Sequence, residues 1–150
     1  SFFKKCEERG VDGVIVPDLP FEEKEELLPE CNKYGIELIS LIAPTSSSRI
    51  GMIAREAKGF IYCVSSLGVT GVRESINTDI KTMIEEVKKV SDIPCAIGFG
   101  ISDPLQAREL SGISDGVIVG SAIVKIIEKE GEACKNSVYE YVKIMKDALA

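Results

Sequence analysis

Two short glycine clusters carry the clearest chemistry in this sequence. Gly98-Phe99-Gly100 follows directly on the apolar run Ile93–Gly98, and Gly120-Ser121 joins the run Asp115–Gly120 to a stretch of helical periodicity. Glycine lets an anion approach the main chain, and the free N–H groups and dipole of a helix start attract it. Two adjacent strands that end this way build one phosphate site, with the Ser121 hydroxyl as a further donor. Taken singly, each cluster serves equally well as a tight strand-to-helix turn.

Other candidates are less specific. The stretch Ser66–Ser75 holds Gly68, Gly71, Thr70 and Arg73 with little apolar content, as in a mobile lid over a strand end or an ordinary surface loop. Asp18 is a potential general acid or base, although its place before Leu-Pro-Phe-Glu-Glu suits a helix cap. Tyr62 alternates with Ile61 and Cys63, so it either faces the interior of a barrel or packs beneath helices. The chain has no histidine, which excludes Ser-His-Asp and Cys-His nucleophile systems and histidine metal sites from these residues. The five cysteines (Cys6, Cys31, Cys63, Cys95, Cys134) are odd in number and lack any C-x-x-C spacing. They read as reduced, mostly buried thiols of a cytoplasmic protein. No metal site and no catalytic cysteine are expected.

The elements that would position these groups alternate along the chain. Apolar, β-branched runs at Val11–Pro17, Ile36–Ala43, Gly59–Ser65, Ile93–Gly98 and Asp115–Gly120 fit strands buried on both faces. Between them lie helical stretches. One starts near Asp18, passes or kinks at Pro29 and ends at Tyr34-Gly35; one contains Ile50, Ile53 and Ala54; one runs from Thr78 to Val90. Others begin at Ser102 or Asp103 with Pro104 in the first turn, at Ser121, and at Val138. The chain opens at Ser1-Phe-Phe-Lys-Lys-Cys already in helical rhythm, as if inside an element.

Strands each followed by a helix predict a parallel sheet covered by helices, with right-handed crossovers. Asp12-Gly-Val-Ile-Val returns as Asp115-Gly-Val-Ile-Val, four βα steps later, which would be half a turn of an eight-stranded barrel. The length of 150 residues fits a five-stranded doubly wound parallel sheet as a complete domain, or about five βα units of a (β/α)8 TIM barrel. Both place ligands at the carboxyl ends of the strands. A net charge of −6 offers no field for nucleic acid or anionic membrane, and the apolar run at Gly116–Val124 is too short to span a bilayer.

Four segments in this order resemble one family. They are Gly10-Val-Asp-Gly-Val-Ile-Val-Pro-Asp-Leu-Pro20, Tyr62-Cys-Val-Ser-Ser-Leu-Gly-Val-Thr-Gly71, Gly98-Phe-Gly-Ile-Ser102 and Gly120-Ser-Ala-Ile-Val-Lys125. Together they are similar to the tryptophan synthase alpha subunit, over residues 1–150 as a single domain that corresponds to its C-terminal portion, from the helix before the fourth barrel strand. The resemblance implies an incomplete (β/α)8 barrel and a lyase that splits indole-3-glycerol phosphate into indole and glyceraldehyde 3-phosphate in tryptophan biosynthesis. It implies phosphate contacts from Gly71, Gly100, Gly120 and Ser121, a lid threonine at Thr70, and indole-pocket walls at Tyr62 and Phe99. Asp18, Leu19 and Pro20 match part of the surface that meets the beta subunit in a heterotetramer, where pyridoxal phosphate belongs to the beta subunit and the alpha subunit takes no cofactor. The family's catalytic Glu and Asp lie on a strand and loop that this sequence does not include. No catalytic residue is therefore expected here, and these 150 residues alone are expected to be inactive or to self-associate. Ser66-Leu67 also lacks an arginine found in some members before the Gly-Val-Thr-Gly loop.

Overall fold

The computed structural model describes residues 1–46, 48–65, 73–98 and 100–149, with the backbone alone at 73–78. Helix α1 (Phe2–Glu8) starts at a Ser1 cap that accepts the Lys4 N–H, and the chain turns through Gly10 at φ +69° into β1 (Gly13–Ile15). A 3-10 segment (Phe21–Glu26) and α2 (Leu28–Lys33) lead to β2 (Glu37–Ile42). Then come α3 (Ile50–Glu56), β3 (Ile61–Val64), α4 (Arg73–Lys88), β4 (Cys95–Gly98) and α5 (Pro104–Ser111). The chain ends with β5 (Gly116–Ile118), α6 (Ser121–Glu130), a 3-10 turn (Gly131–Cys134) and α7 (Lys135–Asp147).

The sheet runs β1-β2-β3-β4-β5, every pair parallel. A doubly wound sheet needs a reversal of strand order at its switch point. This order has none, so the doubly wound alternative is set aside and the sheet is a curled half-barrel. Alternation along the strands separates its two faces. Ile42, Ile61, Cys63, Cys95 and Ile97 point outward and are almost fully buried under the helices. Each buried isoleucine contributes roughly 2–3 kcal/mol. Leu41, Tyr62, Val64, Ala96 and Ile118 share the inner face and remain only half-buried. A smaller core of Phe3, Cys6, Cys31 and Ile36 packs behind β1 and β2.

Three local expectations are corrected. The single helix expected from Asp18, past or kinked at Pro29, to Tyr34-Gly35 is instead a 3-10 segment and a separate α2. Pro29 has no N–H for a carbonyl one turn back, so the helix restarts with Pro29 in its first turn, where the missing donor costs nothing. Asp18 caps no helix: the 3-10 segment begins after Pro20 without any side-chain cap, and Asp18 is exposed. Helix α4 begins at Arg73 rather than Thr78, because Arg73–Asn77 contain neither glycine nor proline to stop it. Residues 73–75 of the stretch read as a lid are thus helix, and 66–72 lie outside the described residues.

The cysteines behave as expected. All five are free thiols, four of them buried. The Cys63 thiol donates to the Ile61 carbonyl at 3.9 Å, and the neighbouring Cys95 thiol first, then burial, hold it well above its ordinary range. Such a thiol is no nucleophile.

Candidate functional site

The carboxyl ends of β3, β4 and β5 build the site from main-chain groups. Gly98 ends β4 opposite Val64 on one side and Ile118 on the other. Gly100 and Gly120 each lie two residues beyond that paired level, at the carboxyl ends of neighbouring strands. Gly100 adopts φ +75° and is exposed. Its left-handed backbone turns the chain sharply and favours a residue without a Cβ.

Both ends of this β4–α5 turn are anchored. Ser65, buried at the end of β3, donates both its N–H (3.0 Å) and its hydroxyl (3.1 Å) to the Gly98 carbonyl. At the far end Ile101 is buried, and the Ser102 N–H donates to Gln106 Oε1 at 2.9 Å. Asp103 caps α5, its carboxylate accepting the Leu105 and Gln106 N–H groups at 2.9 and 3.0 Å, while Gln106 reaches back to the Asp103 N–H. This capping box, with Pro104 in the first turn, fixes where the turn becomes helix. Replacing Asp103 with alanine is expected to cost about 1 kcal/mol, read as a lower urea midpoint at unchanged slope.

Gly120 precedes α6 as its cap residue and offers no side chain to the helix N–H groups. Ser121, the first residue of α6, is exposed. The N–H groups of the first turn of this ten-residue helix receive no side-chain cap. That arrangement can hold a small anion.

Tyr62 lies on the inner face, level with Ala96, and its ring reaches up over Gly98. A Cβ on Gly98 would sit 2.0 Å from the Tyr62 hydroxyl oxygen, so only glycine admits the ring there. Burial pushes the Tyr62 hydroxyl above its ordinary pKa of 10.0, which keeps it a neutral donor. Of the other predicted site residues, Thr70, Gly71 and Phe99 lie outside the described residues.

Asp18, Leu19 and Pro20 are not part of this cluster. They follow β1, at the opposite side of the sheet, where Leu19 is half-buried and Asp18 and Pro20 are exposed. Leu19 and Pro20 line a cavity of about 620 Å³ floored by β2. Ion pairs Arg49–Glu22 (2.8 Å) and Lys24–Glu56 bridge its outer wall. The Arg49 guanidinium holds the Glu22 carboxyl below its ordinary range. No sequence signal pointed to this cavity, because it forms between segments that are distant along the chain. As for acids among the described strand ends, Asp103 is committed to its cap, leaving Asp18. The described residues contain no cluster of three or more His, Cys, Asp or Glu placed to hold a metal ion. None of their helices is long and apolar enough to cross a membrane.

Comparison with known proteins gives a consistent result. The family model for the tryptophan synthase alpha chain matches residues 1–150. The tryptophan synthase alpha chain of Lacticaseibacillus casei is 44% identical over 149 residues, covering 99% of this chain and 56% of the relative. That of Thermoanaerobacter pseudethanolicus is 49% identical over 151 residues, covering 99% of this chain and 58% of the relative. Among solved structures, the tryptophan synthase alpha subunit of Campylobacter jejuni superposes with a TM-score of 0.81 at 35% identity, over 98% of this chain and 56% of that one. A chain of the tryptophan synthase α2β2 complex of Pyrococcus furiosus superposes with a TM-score of 0.82 at 32% identity, over 97% of this chain and 60% of that one. This chain thus spans little more than half the length of the relatives it matches.

Proposed function

Because the chain belongs to the tryptophan synthase alpha chain family, we propose that it forms the phosphate-holding half of a lyase site for indole-3-glycerol phosphate. The observation that carries this reading is the convergence of the Gly100 turn with the Gly120-Ser121 helix start on neighbouring strands. In the whole barrel these groups, together with Gly71, would bind the substrate phosphate and leave the indole ring against Tyr62 and Phe99. Thr70 would serve the lid. The phosphate contacts supply orientation, which a retro-aldol cleavage needs before an acid protonates the indole carbon and a base takes the side-chain hydroxyl proton.

The acid and base are the family's Glu and Asp, which these residues do not supply. The 150-residue chain is expected to bind indole-3-propanol phosphate, a substrate mimic that cannot be cleaved, and to release no indole from indole-3-glycerol phosphate above background. Calorimetry and an indole assay check the two halves. Absent binding sinks the phosphate reading, and measurable indole release sinks the division of labour. Asp18, Leu19 and Pro20 would contribute to the surface that meets a beta subunit, whose pyridoxal phosphate would belong to that partner, while this chain takes no cofactor and works in the cytoplasm.

A second reading, self-association, is favoured by a specific pattern. Among the described residues β1 and β5 each pair on one side only, and Phe2, Val124, Ile127 and Tyr139 are exposed apolar groups on helices at the two ends of the sheet. Unpaired edges beside apolar surface favour pairing of copies. Light scattering that finds a folded monomer excludes it.

A further inference from the structure

The last helix reaches back to the candidate phosphate turn. Tyr141, on α7, donates its hydroxyl to the Ser102 carbonyl at 2.8 Å across 39 residues of sequence. Its ring packs against the main core beside buried Met145, so the hydroxyl is held in place by its own helix rather than by the turn. Burial first, and then the nearby Asp103 carboxylate, push the Tyr141 hydroxyl above its ordinary pKa, so it remains a proton donor near neutrality.

The peptide it grips is the outer anchor of the turn. The Ser102 N–H is bound by Gln106 and the Ser102 carbonyl by Tyr141, while Ser65 binds the Gly98 carbonyl at the inner end. Gly100 lies between these anchors in a left-handed conformation and is exposed. We propose that Tyr141 is a positioning residue: its hydroxyl, acting through the Ser102 carbonyl, holds Gly100–Ser102 in the shape that presents the Gly100 N–H to phosphate. This inference rests on the phosphate reading above and adds to it that the C-terminal helix and the anion site are coupled. Coupling is reciprocal, so phosphate at the turn also steadies the docking of α7.

Tyr141→Phe tests this with the loss of one oxygen atom, and Tyr139→Phe, at a ring that is 63% exposed, is the control. The readouts are amide hydrogen exchange and titration of the full chain with inorganic phosphate, followed at the Gly100, Gly120 and Ser121 amides. Tyr141→Phe is expected to speed exchange at residues 100–103 by about tenfold while β3 and β4 are unchanged. Phosphate affinity should fall about threefold to tenfold, the loss of one hydrogen bond. In the parent chain, phosphate should slow exchange in α7, and that protection should vanish in the variant. Unchanged exchange at 100–103, or faster exchange with unaltered phosphate affinity, overturns the proposal. If phosphate moves none of the three amides in the parent chain, it is the phosphate reading that fails, and the exchange rates still decide whether Tyr141 anchors the turn.

Discussion

Gly98→Ala is expected to drive the Tyr62 ring off the end of β4 and to lower stability by about 2 kcal/mol, as overpacking at a close contact does. The added Cβ would meet the Tyr62 hydroxyl oxygen at 2.0 Å, Cζ at 2.2 Å and Cε1 at 2.6 Å. No relaxation of a few tenths of an ångström clears three such contacts, so the ring must turn away. Its departure would strip one wall from the proposed indole pocket, and affinity for indole-3-propanol phosphate should fall with stability. Removing the ring removes the conflict. In Tyr62→Ala the alanine at position 98 should be nearly harmless, giving a favourable coupling of about 1–2 kcal/mol in a double-mutant cycle. Urea unfolding of the four proteins measures it. Additive effects, or Tyr62 ring resonances that do not move in Gly98→Ala, would contradict the steric account.

Asp115→Ala is expected to cost about 2 kcal/mol, mainly by orphaning a buried donor. Asp115 precedes β5 and extends the ladder: its N–H donates to the Cys95 carbonyl at 2.9 Å, and its carboxylate accepts the Cys95 N–H at 2.8 Å. Lys88 completes the junction, 3.0 Å from the same carboxylate oxygen and 3.0 Å from the Ile93 carbonyl. The ion pair is partly exposed and contributes little by itself. The Cys95 N–H, at a fully buried residue, has no such latitude. That N–H first, and then Lys88, hold the Asp115 carboxyl below its ordinary value of 3.8. The folded state therefore binds this proton less readily than the unfolded state. The contribution is fully present above the ordinary value and disappears as pH falls through the lower folded one. The stability gap between the parent and Asp115→Ala should thus be constant near neutrality and narrow only once pH falls below the ordinary carboxylate value. A gap that widens on acidification would contradict the assignment.

Much of the fold was legible because buried parallel strands leave a strong local trace. Val14-Ile15 and Val117-Ile118 are β-branched pairs and Ile61–Val64 an apolar run with β-branched ends, and each lies within a strand. The glycines Gly98, Gly100 and Gly120 stand out in the sequence because they close such runs, and the structure places them at the carboxyl ends of β4 and β5. Strand order was not legible in the runs themselves, since a doubly wound sheet and a barrel bury the same residues; it came from the resemblance and from the hydrogen-bonded register. The split at Pro29 and the early start of α4 depend on a turn or two of backbone, where local preference is weakest. The Ser65, Tyr141 and Asp115 contacts join residues 33, 39 and 20 apart, and no local pattern announces a partner at that distance. Asp18 was misread as a cap because Leu-Pro-Phe-Glu-Glu looks like a helix start, and the helix that forms there begins later and tighter.

The consecutive order of the five strands has a consequence for how the chain is made. Each strand pairs with the one synthesised just before it, so none of the four pairings among these five strands waits on an intervening strand. A growing chain can lay down one strand and one covering helix at a time, keeping loop closures short and their entropic cost small. The exception is Tyr141, whose bond to Ser102 can form only after α7 has emerged. The scaffold of the β4–α5 turn is thus assembled before the helix that clasps it.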